Sequence, residues 1–203
     1  MRQAQVTIAG SPFTLAQMKE HLRVDHSDED TLIQSYYAAA TQRIQNWTRR
    51  SIGQEQWQMI LDGFPADDER VFLPRGKVQS VGSVVYADSA TTTATLSGAT
   101  ASPAGTDYQE SLGSDVAPYL LPAYGTSWPS TFDVIEPVVI TFTAGYADLD
   151  ASPLNVSAVP EELLEAVRVQ AADFYERRSS DDIENRNTHA AHMLANPFVL
   201  PIW

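Results

Sequence analysis

The stretch "VDHSDEDTLIQSYYAAATQRIQNWTRRSIG", residues 24–53, decides how this chain is read. It packs Asp25, His26, Asp28, Glu29 and Asp30 into six positions, then continues with Leu32, Ile33, Tyr36, Tyr37, Ala40, Ile44 and Trp47 at helical spacing. The acids are either ligands or the start of a helix. An EF-hand loop needs oxygen ligands at alternating positions, a central glycine and a distal glutamate. Residues 25–36 contain no glycine and place Tyr36 where that glutamate belongs. Ser27 and Asp30 stand at capping-box spacing, and Asp28, Glu29 and Asp30 fall in a first turn, where the helix dipole favours negative charge. The cluster therefore reads as a helix joint. The helix it opens is expected from Asp28 to Arg50, ~35 Å at about 1.5 Å per residue. Arg49 and Arg50 suit its last turn, and Gly53 can supply the left-handed stop.

On the N-terminal side, Thr14 and Gln17 fit a second capping box, with Phe13 and Met18 placed for a hydrophobic staple. The short helix between presents Leu15, Met18 and Leu22 on one face. On the C-terminal side, from Gln54 to Tyr146, the texture changes to short alternating runs broken by Gly, Pro, Ser and Asp. "QWQMILDGFP" alternates Trp57, Met59 and Leu61. A Pro-Arg-Gly turn precedes an expected strand from Val78 to Tyr86. "TTTATL" and "TDYQE" read as a weaker pair. In "PVVITFTAGY", Val138, Ile140 and Phe142 alternate with Val139, Thr141 and Thr143, which suggests a central or sandwiched strand. Helix returns at "VPEELLEAVRVQAADFYERR", residues 159–178, with Pro160 at N1 and Leu163, Ala166, Val167, Gln170 and Phe174 facing the long N-terminal helix. The fold class is α+β: a helical frame of three to four helices interrupted by a small antiparallel β insertion. The expected domains are 14–53 with 159–178 as helical core, 54–147 as the β-rich insertion, and 179–203 as a tail.

Composition narrows the function. The chain has no cysteine, which removes thiol nucleophiles and Cys-based zinc sites. Its formal charge of −13 repels a phosphate backbone. No apolar run approaches the length needed to span a bilayer, and the N-terminus lacks the apolar core of a signal peptide, so no membrane and cytoplasmic synthesis are expected. His189 and His192 share helical spacing, but no carboxylate stands at zinc-ligand spacing beside them. No nucleophile elbow, Walker loop or dinucleotide fingerprint is present. Nothing in the pattern supports an enzyme, a metal site or a cofactor. Trp47 and Trp57 lie on apolar faces and read as core. Trp128, in the loop "PAYGTSWPS", is open between a core plug and an interface anchor.

Five separated stretches carry a resemblance: "TLAQMKEHLRVDHSDEDTLIQSYYAAATQRIQNWTRRSI", "LPRGKVQSVGSVVY", "PAYGTSWPS", "VVITFTAGY" and "VPEELLEAVRVQAADFYERR". In this order and spacing, over residues 14–178, they resemble the head–tail connector (adaptor) proteins of tailed bacteriophages and gene transfer agents. The resemblance implies a non-catalytic structural protein of the virion neck, made in the bacterial host cytoplasm. It implies a homo-oligomeric ring, expected to be twelvefold, beneath the portal protein, with stopper or tail proteins docking on it. DNA would pass through the lumen without specific binding. Net acidity suits such a lumen, although solubility accounts for the same charge. The alternatives are a tail-side neck or completion protein and a monomeric β-rich carbohydrate-binding module using Tyr124 and Trp128 as a stacking platform.

The last stretch, "NPFVLPIW", follows the polar spacer "SSDDIENRN". Asn196-Pro197 should stop a short helix starting near Thr188, because proline disfavours a helical residue before it. Phe198, Val199, Leu200, Ile202 and Trp203 then form an apolar arm of a kind rarely left uncovered. These five, with Trp128, are the candidate partner-docking residues. The arm is expected to stay free until it meets the portal, the competing reading being that it folds back on its own core.

Overall fold

The computed structural model describes residues 1–7, 10–66, 69–99, 106–149, 154–177 and 186–201, with backbone alone at 186–188. The fold is α+β. It divides into two compact units: Ala9–Gln54 with Tyr146–Leu200, and Met1–Ile8 with Glu55–Gly145 and Pro201–Trp203.

The first is the helical unit. It holds α1 (Leu15–Leu22), α2 (Asp30–Thr48), α3 (Glu161–Glu176) and α4 (Arg186–Ala195), followed by a 3-10 turn, Asn196–Phe198. Helix α1 starts on the expected capping box: the Thr14 hydroxyl accepts from Gln17 N–H, and the Gln17 side chain accepts from Thr14 N–H. It stops at Arg23, whose φ of 56° is left-handed.

The second helix departs from expectation at both ends. It begins at Asp30 with Glu29 as N-cap and no side-chain cap, so Ser27 does not cap it. Instead the Ser27 carbonyl accepts from Asp30 N–H at 3.3 Å. The neighbouring acids are engaged elsewhere: Asp30 pairs with Lys19 at 2.8 Å, and Glu29 accepts from the Tyr175 hydroxyl at 2.6 Å. Its stop is Arg49, at φ 58°, four residues before Gly53. Ile33, Tyr37, Ala40 and Ile44 of α2 pack with Leu163, Ala166, Val167 and Ala171 of α3 and with Ala191 and Ala195 of α4. Phe13 and Met18 join the same core, Phe13 edge-on to Tyr37. Pro160 is the N-cap of α3 rather than its first residue. Trp47 is not core: it is 45% exposed, with its ring stacked on His192 at 4.1 Å.

The second is the β unit. Its five-stranded sheet is ordered β1 (Arg2–Gln5), β2 (Glu55–Leu61), β9 (Val138–Ala144), β4 (Val78–Ala87), β5 (Thr93–Leu96), antiparallel throughout. The second sheet is ordered β3 (Val71–Phe72), β8 (Tyr119–Pro122), β7 (Tyr108–Ser111), β6 (Gly98–Ala99). Its β6–β7 pair is parallel, so the β structure is not wholly antiparallel. Strand β9 is central, as its alternation suggests, with Val138, Ile140, Phe142 and Ala144 buried and the opposite face half-buried. "TTTATL" and "TDYQE" do not pair. The first adds to β4 and the second joins β8, because the two belong to different sheets. One core unites both sheets: Trp57, Met59, Val84, Ile140 and Phe142 from the first, Val71, Tyr108 and Leu120 from the second. Gly98 is required there, since an added Cβ would meet the Tyr108 ring at 2.0 Å.

Candidate interaction surfaces

After β8 the chain makes a long surface excursion before it enters β9. Gly125, at φ 78°, turns it immediately after Tyr124, which is 97% exposed. Trp128 then pins the loop. Its ring stacks flat on Phe64 at 4.8 Å, lies tilted 6.5 Å from Tyr108, and its Nε1–H donates to the Glu69 carbonyl at 2.9 Å. Burial, reinforced by Glu110 and Asp107, pushes the Tyr108 hydroxyl up to about 12, so this backing stays neutral. Trp128 is therefore packed into its own unit. One of its ring faces is covered by Phe64, and the residue is half-buried.

Beyond Trp128 the loop is fastened twice more. Phe132 N–H donates to the Ala87 carbonyl at 2.9 Å, and Glu136 pairs with Arg2 at 2.9 Å. Between these points Phe132, Val134 and Ile135 face solvent, Ile135 at 92% exposure. Sequence reasoning missed this apolar tip, because "STFDVIEP" has neither the period of a strand nor that of a helix.

At the end of the helical unit, Phe198 packs partly buried on the helical core. Leu200 is 4% exposed and its N–H donates to the Thr48 carbonyl at 3.0 Å. Val199, between them, is exposed. Ile202 and Trp203, like most of the polar spacer, lie outside the described residues. Residues 196–200 are thus fastened within their own chain and not free. The fastening residue is Arg50, also missed in the sequence, where it reads as a helix-end cation. It is buried, donating from Nε to the Phe198 carbonyl at 2.7 Å and from Nη1 to the Tyr146 hydroxyl at 3.0 Å. Nearby, burial with help from Arg43 and His189 holds the stacked His192 below its ordinary pKa.

The charges have a common pattern. The β unit carries four cations, Arg2, Arg70, Arg75 and Lys77, against eleven carboxylates. Each cation already has an internal partner. Arg2 holds Glu136, Lys77 holds Asp115 at 3.3 Å, Arg70 lies over Tyr119 at 4.4 Å, and Arg75 lies buried over Trp57 at 3.6 Å. The unit is therefore strongly net negative, which disfavours a phosphate backbone.

These surfaces are apolar points held on anchored segments of an acidic chain. The class follows from the sequence match: residues 12–111, about half the chain, match the family described as phage gp6-like head-tail connector protein. The chain belongs to this head–tail connector family, whose members are structural proteins of the virion's head–tail junction. No curated protein matches it. Among solved structures, a chain of the "Neck of empty GTA particle computed with C6 symmetry" is 22% identical with a TM-score of 0.77, covering 100% of this chain and 97% of that one. A chain of the "Virion of native gene transfer agent (GTA) particle" is 23% identical with a TM-score of 0.76 and the same coverage. A chain of the "Neck of native GTA particle computed with C12 symmetry" is 21% identical with a TM-score of 0.69, again covering 100% and 97%. All three share its fold.

Proposed function

We propose that this protein is a ring subunit of the virion neck: a connector beneath the portal, through which DNA passes and on which stopper or tail proteins dock. The observation that carries this reading is the connector-family match within a fold shared end to end with neck chains of gene transfer agents. A ring order of twelve fits both symmetries named for those necks, since sixfold is a subgroup of twelvefold. The role is structural and non-catalytic, in keeping with the family's description. DNA slides past without specific binding, supported by the net charge of −13 and the internally paired cations of the β unit.

In this reading residues 14–53 with 159–178 build the ring, the β-rich 54–147 meets the neighbouring component, and 179–203 reaches the portal. Within that last segment Phe198 and Leu200 fasten the arm, while Val199, Ile202 and Trp203 make the contact. Trp128 serves docking indirectly, by holding its loop. Electron microscopy of the purified protein, with and without its portal protein, tests the reading. Rings, or particles of portal capped by a second ring, are expected. A protein that stays monomeric and ignores the portal would sink it.

A further inference from the structure

We infer that the loop tip Phe132–Glu136 is the docking edge for a tail-side protein that presents an apolar pocket rimmed by lysine and arginine. This rests on the connector reading above. The tip has the features of a built contact. Three of its five side chains, Phe132, Val134 and Ile135, are large, apolar and exposed. Such side chains clustered at one point mark a contact surface in a water-soluble fold.

The tip is also held rigid. The Trp128 stack, the Phe132–Ala87 hydrogen bond and the Arg2–Glu136 pair fix it at three places. Glu136 sits at φ 55°, a conformation that a residue other than glycine adopts at a cost. Thus the local structure holds a strained backbone that keeps Ile135 in water. Rigid presentation lowers the ordering cost of binding.

Charge selects the partner. Asp133 lies within the tip. Phe132 N–H donates to the carbonyl of Ala87, whose chain neighbour is Asp88, so a second carboxylate follows directly on the segment that holds the tip. Arg2 is held by Glu136 and the N-terminal ammonium by Asp62 at 3.7 Å. An acidic rim suits a basic one and disfavours DNA or an anionic lipid surface. A second copy brings the same net charge of −13, which opposes an acidic tip. The head side is assigned to the C-terminal segment. That leaves a tail-side protein.

The test mixes purified heads bearing the portal and this connector with purified tails of the same particle, counting joined particles by electron microscopy. The double variant Val134→Ser, Ile135→Ser should reduce joining at least about tenfold, as loss of a contact centre does. It should keep the melting temperature, ring formation and attachment to heads of the parent, since the altered side chains are exposed. Asp133→Lys should also reduce joining, and the reduction should show the charged half of the contact. Normal joining by the double variant overturns the inference. So does loss of rings or of head attachment, because the tip would then serve copy–copy or portal contact. Normal joining by Asp133→Lys overturns the basic rim. A parent protein that forms no ring and caps no portal fails earlier, at the connector reading itself.

Discussion

Leu200 and Arg50 act on one short segment by different physics. The leucine is buried and sends its N–H to Thr48, while the guanidinium satisfies the Phe198 carbonyl and the Tyr146 hydroxyl. Removing a buried leucine leaves a cavity as well as lost burial. Leu200→Ala should therefore destabilise the protein by about 2–3 kcal/mol in urea unfolding. A change under about 0.5 kcal/mol would mean that the segment is not fastened as described. His192 gives a pH signature at the same scale. Its folded pKa is lowered by burial, so the unfolded chain takes up its proton first as pH falls. Stability from this group is complete above the ordinary histidine value of about 6.5 and declines below it. His192→Phe keeps a ring against Trp47 and removes the titration. Between pH 7 and pH 5 its melting temperature should fall less than that of the parent, and parallel curves would refute the assignment.

At the level of elements, two capping boxes written with similar letters behave differently. Thr14 caps α1 in both directions, whereas Ser27 caps nothing and α2 starts from Glu29. Thr14→Ala should cost about 1 kcal/mol, the usual loss for a filled N-cap. Ser27→Ala should stay within about 0.5 kcal/mol, as an exposed position without a cap does. Chemical denaturation of both variants checks the pair, and a larger loss at Ser27 would restore the capping box there. The acids next to Ser27 show why it is bypassed: Asp30 is drawn to Lys19 of α1 and Glu29 to Tyr175 of α3. Tertiary partners override a local cap whose net worth is of the order of 1 kcal/mol.

For the whole molecule the deciding quantity is charge. At −13, with the β-unit cations all paired internally, the protein should show no duplex DNA binding at physiological salt. Submicromolar binding in a gel-shift assay would contradict a lumen past which DNA slides.

Hydrophobic period is a local property, and it was legible in the sequence: the register of α2 and α3, the alternation of β2 and the central position of β9, together with the capping box of α1. So was the order of motifs that marks a head–tail connector. What the sequence did not disclose depends on residues far apart in the chain. Trp47 reads as core on its helical face, yet it is 45% exposed and its ring stacks on His192, about 145 residues later. "TTTATL" and "TDYQE" look like partners because strand pattern carries no address, and each joins the sheet that offers it an edge. Arg50 reads as a dipole-matching cation until Phe198 and Tyr146 come within reach of it. The exposed tip Phe132–Ile135 has no period at all. Its three anchors come from β1, from β4 and from the segment between β2 and β3, so only the folded chain could place it in water.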